Sequence, residues 1–214
     1  GRLDQAMAES RRFVSDSQQH RVFRVDGFGG MISSFDTGAA GSFSPTGLSM
    51  GPAGESLFLS DREARKIIEV SPTGTEISSF TTFPFQKGPR AERLCGDPEG
   101  VAYDATRDHL FIADPQAGRV FEVTRSGVFV ASFATAPAAP YPTDLAVDPA
   151  GDRVIVSDSS GHLAEFSRAG VLRGLYPAVP LGVRIPGASG LSVERETLRR
   201  VVTDPVADAV FFLS

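Results

Sequence analysis

Residues 58–80, FLSDREARKIIEVSPTGTEISSF, contain in one line most of what recurs along this chain. An apolar run ends in Asp61, a polar turn leads to a second run opened by Lys66, and a turn at Gly74 leads to a third run ending in Phe80. Each run is short, rich in Val, Ile, Leu and Phe, and bounded by Gly, Pro, Asp or Ser. That is the pattern of a β-strand, and the runs are too short for helices.

The same succession returns along the chain. Anchored on the Asp, it falls at Asp16, Asp61, Asp114, Asp158 and Asp204, preceded by RRFVSD, SLFLSD, HLFIAD, RVIVSD and RRVVTD, with steps of 45, 53, 44 and 46 residues. Thirteen residues before each Asp stands an aliphatic residue, Leu3, Leu48, Val101, Leu145 or Leu191. After each Asp comes a second run, RVFRV, KIIEV, RVFEV, HLAEF or AVFFL; ten residues beyond it lies Phe35, Phe80, Phe133 or Tyr176. Gly29, Gly74, Gly127 and Gly170 occupy equivalent places in the turn between. Each repeat thus holds four strands, a to d in chain order.

Repeats of about 40–50 residues with four strands specify the blades of a β-propeller. The expected fold is all-β: one propeller domain over residues 1–214, built of four-stranded antiparallel blades at about 1–37, 46–82, 99–135, 143–178 and 189–214. Five repeats are visible, and the last lacks its outer strand. A sheet packed on both faces explains why LFLS and VIVS are apolar on successive residues instead of alternating.

VSDSQQHRVFRVDGFGGMISSF, FLSDREARKIIEVSPTGTEISSF and FIADPQAGRVFEVTRSGVFVASF resemble the NHL repeat, a strand ending in Asp, a polar turn and His-Arg, an apolar strand and a glycine turn, the second and third copies matching apart from the His. The resemblance spans essentially the whole chain and implies a propeller, usually of six blades, so the five repeats here are expected to belong to a longer ring. It specifies architecture well and activity poorly.

The formal charge of -5 and pI near 5.2, with no basic run, exclude a broad nucleic-acid footprint. One cysteine, Cys95, excludes an internal disulfide and a cysteine-cluster metal site, and reads as a loop thiol. No apolar run is long enough to span a membrane, so a soluble chain is expected. The compartment stays open. The first residue is Gly, which is compatible with an exported, secreted or periplasmic protein whose signal has been removed.

In a propeller the d-to-a and b-to-c connections share one face, the top, where ligands usually bind. The two longest d-to-a loops, 81–99 and 177–189, exceed the usual loop length and are the places to look. They carry Arg90, Arg93 and Arg184, a candidate basic patch for an acidic ligand. Glu99 and Asp144 precede strand a of adjacent blades and would bring two carboxylates to the channel mouth, where they could help hold Ca²⁺. The segment DPEGVAY also resembles the Glu-Gly segment by which gluconolactonase-like propellers supply a metal ligand. That family adds an Asn ligand, and this chain has no Asn, so the resemblance carries over only to Glu99 and Asp144.

The recurrent Asp16, Asp61, Asp114, Asp158 and Asp204 are read as structural, accepting turn N–H groups and lying five residues before a base at Arg21, Lys66 and Arg119. GLSMG at 47–51 matches a nucleophile-elbow pattern but lies on strand a, where Ala102 and Ala146 replace Ser49, so it is rejected. His20, His109 and His162 lie too far apart to converge. The leading expectation is a non-enzymatic binding or scaffolding module for a protein, peptide or carbohydrate, with Ca²⁺ the one cofactor left open. Two alternatives stand beside it: a Ca- or Zn-dependent hydrolase, lactonase or lyase of gluconolactonase-like type, and the sensor or ectodomain portion of a larger protein.

Overall fold

The computed structural model describes residues 12–26, 29–83, 95–148, 152–177, 190–193, 200–204 and 209–213. The first sheet holds β1 (Arg12–Asp16), β2 (Arg21–Val25) and β3 (Met31–Asp36); the second β4 (Pro45–Met50), β5 (Leu57–Asp61), β6 (Lys66–Val70) and β7 (Glu76–Thr81). The third holds β8 (Val101–Asp104), β9 (His109–Asp114), β10 (Arg119–Thr124) and β11 (Phe129–Ala134). The fourth holds β12 (Pro142–Val147), β13 (Arg153–Asp158), β14 (His162–Ser167) and β15 (Leu172–Pro177). Each is an antiparallel meander in chain order, and the four are arranged as the blades of a β-propeller. A three-stranded antiparallel sheet follows, of β16 (Gly190–Val193), β17 (Arg200–Asp204) and β18 (Ala209–Leu213).

Sheets consecutive in sequence pack through their inner strands, β4 on β8, β8 on β12 and β12 on β16. Burial grades outward from there. Every residue of β5 is buried, whereas the outer strand β7 is almost wholly exposed. This gradient explains the continuous apolar runs of the middle strands, which have a neighbouring sheet on each face.

Among the described residues the core forms three separate interfaces. Val22, Leu57, Leu59, Ile68 and Val70 fill the space between blades one and two; Phe58, Ile67, Val101, Ile112 and Phe121 that between two and three. Phe111, Val120, Leu145, Val156 and Phe166 fill that between three and four. Each of the three described d-to-a loops drops a small residue into its interface: Ala40, Cys95 and Ala139. Cys95 is thus a loop thiol, as expected, but one buried in the core. Burial, reinforced by the charge of Asp114, pushes its thiol well above the ordinary range.

The glycine of each c-to-d turn is the joint between blades. Gly74, Gly127 and Gly170 take φ of +90°, +82° and +79°, and each lies against the aromatic ring that ends the preceding blade: Phe35, Phe80 and Phe133 respectively. A Cβ at any of the three would overlap that ring. Positive φ and close approach thus demand glycine for two independent reasons. Two of these turns open with an arginine that reaches back into the same neighbour. Arg125 donates to Glu69 at 2.5 Å and lies over Phe58, and the buried Arg168 pairs with Asp104 and lies over Phe111.

Gly127→Ala should cost about 2–4 kcal/mol, combining left-handed strain with collision against Phe80. Gly41→Ala, at φ +76° with open space around it, should cost only about 1–2 kcal/mol. Urea denaturation of the two variants separates the clash from the strain; equal losses would show that the ring contact contributes nothing. By the same measurement Arg168→Leu, which strands the buried Asp104 carboxylate, should cost about 3–5 kcal/mol. Arg125→Leu should cost clearly less, because its head is 38% exposed.

Candidate functional site

The carboxylates of Asp16, Asp61, Asp114 and Asp158 each work with both oxygens. Asp61 Oδ1 accepts the Ala64 N–H at 2.8 Å across its own b-to-c turn. Its Oδ2 accepts the Ser42 hydroxyl and the N–H groups of Phe43 and Ser44, from the loop that enters strand a of the same blade. Asp114 bonds Ala117 N–H with one oxygen and Asp97 N–H with the other, and Asp158 does the same with Ser160 and Tyr141. Asp16 caps its turn through Gln18 and Gln19. Asp204 ends β17, within its described backbone.

These carboxylates clamp two top-face connections together, which the turn reading alone did not foresee. The bases placed opposite them in register do something else: Arg21 and Arg119 donate to Ser34 and Ser132 on strand d. Asp61 stays below the usual carboxylate range although burial raises it, because the four donors outweigh the desolvation.

A second recurrent latch escaped the sequence reading. Thr37, Thr82 and Thr135, each two residues past the aromatic of strand d, send their N–H to the carbonyls of His20, Arg65 and Gly118. The three residues whose carbonyls accept these bonds have φ of +53°, +53° and +59° and end the b-to-c turn of the same blade. The signal was present as a Thr 21 residues after the anchoring Asp in three repeats.

Within this frame one position is unusual among the described repeats. The residue preceding the first-strand aliphatic is Gly47, Gly100, Asp144 and Gly190 in the second to fifth repeats, and Arg2 in the first. A Cβ at Gly47 would meet the Glu99 carbonyl, and one at Gly100 would meet Asp144. The backbones approach so closely in this layer that only glycine fits, and the Asp144 side chain fills the space that Gly100 leaves. Its Oδ2 accepts the Leu191 N–H at 2.6 Å, tying β12 to β16. Its Oδ1 is buried and has no hydrogen-bond partner.

Asp144 is 6% exposed, and burial drives its carboxyl up to about 8, with the nearby Glu99 charge adding to the effect and the Leu191 and Leu145 N–H groups opposing it. Glu99 is half-buried and also raised, first by burial and then by Asp97 and Asp114, with Arg62 acting against them. The two carboxyls come from adjacent blades, and Asp144 holds a proton at neutral pH. Leu48, Val101, Leu145 and Leu191 of the inner strands line a cavity of about 230 Å³, with Ala102 and Ala146 in its wall and neither carboxyl among its lining.

No family model matches the chain, and no curated protein matches it. What the site can do is therefore read from its own atoms. Arg90, Arg93 and Arg184 lie outside the described residues, as do most of the two long loops that carry them. Among the described residues no group of three or more His, Cys, Asp and Glu is placed to hold a metal. Ser49 accepts the Tyr103 N–H at 2.9 Å as a strand residue. His109 meets Glu122 and His162 meets Ser160, in different blades, one opening a strand b and the other an antiparallel strand c. No helix among the described residues is long and apolar enough to cross a membrane.

The raised Asp144 pKa has a definite stability consequence. In the unfolded chain the group titrates near 4. Between about pH 4 and pH 8 the folded state holds a proton that the unfolded state has released, so this contribution is full below pH 4 and lost as pH rises through 8. Wild-type stability should therefore fall between pH 5 and pH 8.5, and Asp144→Asn should flatten that fall by about 1 kcal/mol or more. Urea midpoints at the two pH values for both proteins check this; parallel slopes would place the proton elsewhere.

Proposed function

We propose that the chain is a non-enzymatic, NHL-like propeller serving as a rigid binding module for a protein, peptide or carbohydrate partner through its top face. The observation that carries this reading is the buried Asp144 carboxyl, beside Glu99, with one oxygen lacking a hydrogen-bond partner. Leaving such an atom unsatisfied costs about 1–3 kcal/mol, which a partner's hydroxyl or carbonyl oxygen would recover by accepting from the protonated carboxyl. The long loops 81–99 and 177–189, with Arg90, Arg93 and Arg184, would frame the opening. In the same reading β16–β18 form a fifth blade, and the complete ring has six. The chain would then act as the sensing or recognition portion of a larger assembly.

The same atoms favour one second reading. Glu99 and Asp144 supply two oxygen donors for Ca²⁺ or Zn²⁺, the arrangement expected for a metal-dependent hydrolase, lactonase or lyase of gluconolactonase-like type. Calorimetric titration with each cation distinguishes the two. Saturable heat that vanishes in Glu99→Gln supports the metal reading, and flat titrations remove it. For the binding reading, peptide and glycan arrays probed with the wild type should yield ligands whose binding drops at least about tenfold in Asp144→Asn, the loss expected for one buried hydrogen bond. Ligands that map instead to the c-to-d turns of the opposite face would overturn it.

A further inference from the structure

The seam between the second and third blades opens into a groove of about 640 Å³ at the end of the blades opposite the top face. Its one wall is the outer strand β7, which contributes the 54% exposed Ile77 and the half-buried Phe80. The other wall is made by two turns of the third blade, the a-to-b turn with Arg107 and His109 and the c-to-d turn that follows β10. These turns are stitched together. The Arg125 N–H donates to the Asp108 carbonyl at 3.2 Å, and the Asp108 carboxylate accepts the Tyr103 hydroxyl at 2.9 Å. The groove is therefore built before any ligand arrives, and its volume falls in the range of roughly 300–1,000 Å³ of small-molecule sites.

Its polar groups are not all spent on one another. Glu69 accepts from Arg125, Ser56 and Ser78, and Asp108 lies 4.0 Å from Arg125, so both acids of the groove are matched. Arg107 is exposed and has no ion-pair partner among the described residues. His109 Nδ1 lies 2.8 Å from a Glu122 oxygen, and Arg168 approaches the same oxygen at 3.7 Å. A carboxylate only accepts, so Nδ1 carries the proton and Nε2 is left as an acceptor, without a partner among the described residues. The repeat frame asks for neither residue. Gly54 and Gly151 stand at the place of Arg107 in the second and fourth repeats, and Ser56 and Arg153 at the place of His109.

We propose that this groove binds a small hydroxy acid with a compact apolar body. Arg107 takes the carboxylate, the ligand hydroxyl donates to His109 Nε2, and the body lies against Ile77 and Phe80. Each part follows from what the groove leaves open. A guanidinium presents a planar fork of donors that matches a carboxylate. The tautomer that Glu122 fixes asks for an O–H donor and disfavours a second acceptor at Nε2. The apolar wall gives area to a ring or branched chain and nothing to a bare ion. The groove lies at the other end of the blades from the top face, so this inference does not rest on the binding reading above.

The probe is mandelate, which joins a carboxylate, an adjacent hydroxyl and a phenyl ring. Titrated into isotope-labelled protein and followed by NMR, it should shift the ring signals of His109 saturably. Those signals are identified among the chain's three histidines by their loss in His109→Gln. Phenylacetate, which lacks the hydroxyl, should bind at least about fivefold more weakly, and benzyl alcohol, which lacks the carboxylate, at least about tenfold more weakly. These comparisons use the unaltered protein, so they do not depend on how a variant folds. Arg107→Gln should weaken mandelate at least about tenfold, and because the residue is exposed the fold is kept. Mandelate that leaves the His109 signals unmoved overturns the site. Equal affinity for mandelate and phenylacetate overturns the hydroxy-acid class, and binding unchanged in Arg107→Gln overturns the placing of the carboxylate.

Discussion

The contact on which this fold depends is a glycine turn resting on an aromatic ring. A single four-stranded meander has two apolar faces and cannot cover either by itself, so its stability lies in the joint with its neighbours. Gly127 on Phe80 and Gly170 on Phe133 set how closely successive sheets approach, and that spacing lets Phe58, Phe111 and Leu145 interdigitate beneath. The arginines of the same turns add charge to the joint where the preceding blade offers Glu69 or Asp104. The first interface shows the correlate: Arg24 stands where Glu69 stands in the next repeat, and its partner turn carries Pro72 in place of the arginine.

At the other end of the blades the constraint is polar. Two reversals, b-to-c and d-to-a, meet there, and their backbone groups would be costly to bury unpaired. Asp61, Asp114 and Asp158 meet that need by gripping both connections, and Thr37, Thr82 and Thr135 by closing on the left-handed turn residue. Because these side chains are spent on the backbone, they are not free to act on a ligand. The exception is Asp144, an acid set in a layer of glycines, with one oxygen holding the neighbouring sheet and the other unsatisfied.

The strand pattern was legible because both faces of each sheet are buried, which writes continuous apolar runs between turn residues. The anchoring Asp, aliphatic and aromatic positions of the described repeats fall on the strands their spacing indicates. The role of Cys95 was not legible, because a thiol in a long Pro- and Gly-containing loop gives no local sign that the loop folds back into an interface. The bases opposite Asp16 and Asp114 were misleading for a related reason. Register places them face to face, but Arg21 and Arg119 extend across the sheet to Ser34 and Ser132.

Repetition in the sequence determined the blade, its four strands and the order of their turns, because a period of Asp, Gly and aromatic positions is a one-dimensional fact. It also placed Glu99 before strand a, whereas Asp144, expected there too, lies within that strand in β12. Only the tertiary structure decided that Asp144 is buried against Gly100, bonded to Leu191 and left with a free oxygen, while Tyr176 faces outward. Those properties come from how closely one sheet approaches the next. That distance is set by side chains about fifty residues apart in the chain, and no local pattern records it.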